Sequence, residues 1–265
     1  MPLLFFLLIA FVSTFSANAA LPILSDGLVY ATNGSGVFGY KDTPKLPWCG
    51  YLVHDPDRPA PIRVDPGPAP APAPIPADAI VLFNGNDLSQ WNPTQWLMKD
   101  GEMIAHGGGL SSRESFGDIQ LHLEWMAPAD YKGPWYNQGN NGVVLMGLYE
   151  IQIFDSYNIK WAPDGQAAAV YAQTPPLVNA CRKPGEWQTY DIVFTAPKYD
   201  GDKLIAPPRI TMHHNGVLVH LNQEIYGETG HRVLPGHRSH KTKGPLMFAG
   251  HDCPVHFRNI WIRKL

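Results

Sequence analysis

From Ala79 to the C-terminus the chain is a succession of short apolar or alternating runs, each closed by turn residues. None keeps a helical period over the length that a helix needs. AIVLF (79–83), WLMKDGEMIAH (96–106), DIQLHLEWM (118–126), GVVLMGLYEIQIF (142–154), QTYDIVFTA (188–196), PRITMHHNGVLVHLNQ (208–223), PLMFAG (245–250) and VHFRNIWIRK (255–264) all read as strands. Lys-Asp-Gly and His-Asn-Gly inside two of them mark tight hairpins. The 25 Gly and 26 Pro of the 265 residues agree with many short strands joined by turns. The expected fold is all-β, a two-sheet antiparallel jelly-roll sandwich.

Within that pattern one run places polar groups where a core wants none. In NNGVVLMGLYEIQIFDSYN (140–158), Tyr149, Ile151 and Ile153 share one face of a strand, while Glu150 and Gln152 share the other, with Asp155 just beyond. The same alternation in DIQLHLEWM sets Leu121, Leu123 and Trp125 inward and His122 and Glu124 outward. Such an outward polar set is either a solvated face or the floor of a groove.

The N-terminal part differs. MPLLFFLLIAFVSTFSANAA has an apolar core from Leu3 to Phe15 and an Ala17-Asn18-Ala19 cleavage pattern, so residues 1–19 are expected to be a signal peptide. The core is short for a membrane span, and the protein is expected to be exported, periplasmic or extracellular, with no span left after cleavage. Residues 20–64 are turn-rich and too few for a core of their own, hence an irregular extension packed on the main domain. Residues 65–78, with DPGPAPAPAPIPA, favour extended polyproline II and form a linker or strap ahead of the jelly-roll domain at 79–265.

Charge excludes one class of partner. The net charge is −3, and no basic stripe is present to neutralise phosphates, so nucleic acid is excluded. The spacing of the three cysteines fits no zinc pattern. Six histidines (213, 214, 220, 231, 237, 240) on a hairpin and a loop leave both a metal cluster and separate roles open.

Longer motifs are more specific. VLFNGNDLSQW (81–91), NNGVVLMGLYEIQIFDSY (140–157), DGQAAAVYAQTPPLVNACRKPGEWQTYDIVF (164–194) and PVHFRNIWIRKL (254–265) resemble the DUF1080, or 3-keto-disaccharide hydrolase, family. The GYKDTP…VHDPDRP piece resembles the leader of an exported subset of it. The resemblance implies a concanavalin-like jelly roll with a concave sugar-binding face, acting on glycosides oxidised to a ketone at C3. A C3 ketone acidifies the C2 hydrogen. A base removes it, the C1 oxygen leaves, and water adds to the resulting glycal. Such a site needs a base, an acid and a stabiliser for the enolate. A divalent metal ion is one candidate for the last.

Carried over by motif, the expected catalytic residues are Glu150, Asp155 and His251. Gln152, Asn141, Glu124, Trp161, Tyr171 and Arg258 are expected to bind a carbohydrate partner. Apart from the motifs, Trp135, Tyr136, Trp161 and Tyr171 read either as a sugar-stacking rim or as buried core, the latter more so for Tyr171. Where the family usually writes Asn-Ser-Gly this chain has Asn140-Asn141-Gly142, and Leu148 replaces a usual Arg. Cys181 and Cys253 both depart from the family's usual small polar residues, which suggests a disulfide between them in an oxidising compartment.

Overall fold

The computed structural model describes Leu24 and residues 27–265; the expected signal peptide at 1–19 lies outside the described residues. Two antiparallel sheets enclose the main core. The larger runs Val217–Glu224, Arg209–His214, Gln188–Thr195, Ile119–Met126, His256–Lys264, Glu102–Ile104, Leu97–Lys99, with Ile80–Phe83 also paired to His256–Lys264. The smaller runs Tyr149–Ile153, Asn141–Leu145, Gly244–Ala249, Leu110–Phe116.

Alternation decides what meets between them. Leu121, Leu123 and Trp125 point in from the larger sheet, and Val143, Ile151 and Ile153 from the smaller, all with no exposed surface. Burying each such side chain is worth roughly 1.5–3 kcal/mol. The turns are those the sequence marks: Asp100-Gly101 and Asn215-Gly216 both take positive φ, as a tight two-residue hairpin requires.

The structure differs from the sequence reading in two places. GVVLMGLYEIQIF is a hairpin, not one strand, because Met146 and Gly147 adopt φ of 56° and 72° and reverse the chain. LSSRESF (110–116) is a strand that the polar composition concealed. Its Leu110, Ser112 and Phe116 are buried, and the Ser112 hydroxyl donates to Glu114 O at 2.6 Å and accepts from Leu246 N at 2.9 Å.

Extension and strap both lie on the sandwich. Leu28 and Tyr40 form a small core with Phe154, Trp161 and Ala162, joined by Phe38 and Trp135. Further along, His54 N donates to Asp164 Oδ2 at 2.9 Å and His54 Nδ1 faces Asp164 Oδ1 at 3.1 Å, with both side chains fully buried. The strap crosses the outer face of the larger sheet. Arg182 donates to Gly67 O and Pro68 O, Asn259 to Ala73 O, and Ala73 N to Glu124 Oε1.

The three cysteines are free thiols, so the expected Cys181–Cys253 disulfide is not formed. Cys181 Sγ instead lies 3.4 Å from Arg182 O, and burial raises its pKa to about 12. No helix among the described residues is long and apolar enough to cross a membrane.

Candidate active site

The outward face of Tyr149–Ile153 opens into a cavity of about 670 Å³. Register explains the floor. Glu150 pairs with Val144 and Gln152 with Gly142 on the neighbouring strand, so their side chains leave the core together. Gly142 has no side chain to occupy that face, and the Glu150 side chain folds over it. The strand's other edge is covered by the 168–171 segment, through Ala168 N to Gln152 O at 2.8 Å and Tyr171 N to Glu150 O at 3.0 Å. That pairing hangs the Tyr171 ring beside Glu150.

Glu150 makes no side-chain hydrogen bond to the described protein groups, and burial raises its pKa to about 7. It therefore exchanges a proton near neutrality, as a general base or acid must. Beside it, Gln152 Oε1 accepts from Ile153 N at 3.1 Å, which leaves its NH2 group for the cavity. The walls are aromatic: Trp135, Tyr136, Phe154, Trp161, Tyr171 and, from the extension, Tyr40. Trp135 and Trp161 ring centres lie 4.9 Å apart. Gly250, His251 and Asp252 close one side, and Thr229, Gly230 and His231 another. Burial lowers the His251 pKa, so its imidazole is mostly neutral at pH 7.

His231 belongs to this wall, and the sequence reading had placed it only among the clustered histidines. Tyr171 Oη and His231 Nδ1 are hydrogen-bonded at 2.8 Å. Burial, followed by the neighbouring His54 and Arg232, lowers the His231 pKa. Burial raises that of Tyr171, followed by the Glu150 and Asp164 carboxylates. Behind them His54 sits with ring centres 5.0 Å from Tyr171 and 5.2 Å from both Trp161 and His231. The contributions of Leu28, Tyr40 and His54 carried no signal in the sequence, because nothing there ties the extension to this groove.

Glu150, Gln152, His251, Trp161 and Tyr171 thus share one cavity, and four expected residues do not. Asp155 is buried in a turn, where Oδ1 accepts from Tyr157 N and Asn158 N at 3.1 Å and Oδ2 from Asn158 Nδ2 at 2.9 Å. Asn141 pairs with Ile153, so it points into the core; its Oδ1 accepts from Gly142 N. Glu124 and Arg258 lie on the outer face of the opposite sheet, joined at 2.7 Å beneath the strap. Alternation had set Glu124 outward correctly, but outward from the other sheet.

Among the described residues, no three His, Cys, Asp or Glu side chains gather as a metal site. Of the six histidines, His214 and His220 are buried apart: His214 against Gln188 Oε1, and His220 donating to Ala168 O at 2.7 Å. The donor set does not fit a metal ion.

Comparison with known proteins agrees with this architecture. A candidate glycosyl hydrolase from Parabacteroides distasonis ATCC 8503 is 38% identical, covers 71% of this chain and 84% of its own, and superimposes with a TM-score of 0.69. Two more from the same organism, 20% and 23% identical, share the fold at TM-scores of 0.53 and 0.51, each with 71% of this chain covered and 94% and 99% of their own. No curated protein matches the chain. The profile of one domain family matches residues 78–263, the whole of the sandwich, and the chain belongs to that family, the 3-keto-alpha-glucoside-1,2-lyase-like domain.

Proposed function

We propose that this chain is an exported enzyme that cleaves glycosides carrying a C3 ketone, by elimination across C1–C2 followed by hydration. The observation that carries this reading is the Glu150 carboxyl: it has no hydrogen-bond partner among the described residues, on the floor of an aromatic-walled cavity, with its pKa raised to about 7. A binding module needs the aromatic walls but has no use for such a carboxyl. Export is supported by the Leu3–Phe15 apolar core and the Ala17-Asn18-Ala19 pattern.

The keto ring lies against the aromatic wall with C2–H toward Glu150. Ionised Glu150 takes that proton, and negative charge moves onto the C3 oxygen. The Gln152 NH2 donates to that oxygen, and in a cavity that excludes bulk water such a donor is worth more than in solution. The C1 oxygen leaves with a hydrogen bond from the neutral His251 ring and takes its proton from a water molecule. The hydroxide so formed adds at C1 and Glu150 returns its proton to C2, giving the 3-keto sugar and restoring Glu150 to its carboxylate.

Incubating the mature protein with a panel of 3-keto-disaccharides, and following release of the free 3-keto sugar, tests the reading. Turnover that survives a chelator is expected. Binding of the sugars without any cleavage would reduce the site to a carbohydrate-binding module.

A further inference from the structure

A second cavity, of about 410 Å³, adjoins the first and shares Trp135 with it. Most of it is built by the extension: Tyr30, Gly34, Ser35, Gly36 and Phe38, facing Ile159 and Lys160 of the main domain. The family match begins only at residue 78, so these residues are additions to the shared domain.

The cavity is a built feature, not a crease between loosely touching parts. Phe38 N donates to Lys160 O at 3.1 Å, and Lys160 Nζ donates to Ser35 O at 2.9 Å. Phe38 and Trp135 pack edge to face with ring centres 4.7 Å apart. Ala31 N to Val37 O at 2.8 Å closes the Gly34–Gly36 turn. Beyond it the extension is pinned by the buried His54–Asp164 pair and by Arg58 donating to Gln173 O at 2.9 Å.

Its chemistry is that of a sugar subsite. Tyr30, Phe38 and Trp135 offer aromatic surface to the apolar face of a pyranose, while the Lys160 ammonium and the open backbone of the Gly34–Gly36 turn offer polar partners. Both cavities lie in the range of about 300–1,000 Å³ typical of small-ligand sites. The first suffices for a disaccharide around the scissile bond, and the second has room for a further ring.

We infer that the N-terminal extension builds a distal sugar subsite, and that the substrate class is a C3-oxidised oligosaccharide of three or more units whose leaving portion crosses Trp135 into it. This rests on Glu150 acting at C2, as proposed above. With C2 and C3 of the reacting ring engaged at Glu150, the chain continues through C1, so what extends outward is the leaving group. The extension is then a specificity element fused to a shared catalytic domain.

Calorimetric titration with non-reacting parent disaccharides and trisaccharides of the same linkage tests the subsite without turnover. The wild-type protein is expected to bind the matching trisaccharide roughly tenfold more tightly than its disaccharide, a margin of the size one well-placed group supplies. Ser35→Trp, which fills the cavity, and Tyr30→Ala, which removes an aromatic face, are each expected to erase that margin while the melting temperature stays near wild type. No margin in the wild-type protein across the linkages, or one that survives both variants, would overturn the inference. Separately, a margin present in a protein that cleaves no 3-keto-glycoside would keep the subsite and refute the activity.

Discussion

A Cβ on residue 142 would collide with the Glu150 carboxyl, because the Glu150 side chain lies over Gly142 on the adjoining strand. The backbone at 142 is not left-handed, so alanine fits the chain and only the carboxylate must move. Gly142→Ala is therefore expected to melt near wild type. Its turnover should fall roughly 10²-fold, since a misplacement of about 1 Å costs that much. Paired melting curves and kcat on a 3-keto-disaccharide check this.

The raised pKa of Glu150 has two pH signatures. A base must be ionised, so kcat/KM should climb through about pH 7 and level off above it. Stability runs the other way. The folded carboxyl holds its proton up to about 7 and the unfolded one only to 4.5, so its contribution is fully present below 4.5 and lost as pH rises to about 7. Glu150→Gln does not titrate. Its melting temperature relative to wild type should therefore be higher at pH 8 than at pH 4, and a gap independent of pH would contradict the shift.

The buried pair that pins the extension should be costly to break. Burial alone would raise the Asp164 pKa, but His54, followed by Arg58, outweighs it and keeps the carboxylate ionised. Asp164→Asn leaves His54 unpaired in the interior, and removing one partner of such a pair costs about 3–5 kcal/mol. Chemical denaturation should show that loss, and limited proteolysis should cut within residues 27–64 earlier than in wild type.

On the opposite face, away from the Glu150 cavity, Glu124 holds the strap with His122 beside it. Burial opposes both charges, but His122, Asn259 and Arg258 lower Glu124 to about 2, and Asp191 and Glu124 raise His122 to about 9. The Glu124 contribution is lost as pH falls from 4.5 toward 2, and the His122 contribution as pH rises from 6.5 toward 9. Between those limits these two contributions should stay constant. Glu124→Gln should lower the melting temperature while leaving kcat at the wild-type value.

The cysteines give a chemical check. Burial raises Cys181 to about 12 and Cys253 to about 11, so neither is a thiolate at neutral pH, whereas Cys49 is only half-buried. Alkylation of the native protein should label Cys49 first. A Cys181–Cys253 peptide under non-reducing conditions would contradict the structure.

The sandwich was legible because alternation and turn chemistry are local. Tyr149-Glu150-Ile151-Gln152-Ile153 declares its two faces in sequence, and Asn215-Gly216 declares its hairpin. Which sheet a polar face belongs to is not local, and that is why Glu124 and Arg258 were grouped with Glu150 although they lie across the core. Asp155 and Asn141 misled differently: a buried Asp capping a turn and an Asn turned inward have the composition of site residues. His231, Tyr40 and Leu28 reach the cavity only through packing of a loop and an extension that no periodicity describes.

Proton removal from C2 by Glu150 is open to one decisive measurement. With a 3-keto-disaccharide deuterated at C2, the wild-type protein should turn over more slowly than with the protiated sugar, a primary isotope effect, and Glu150→Gln should slow turnover by about 10²–10⁴-fold while remaining folded. Glu150→Gln turning over the substrate at a rate near wild type would remove Glu150 from the chemistry and contradict the proposed mechanism.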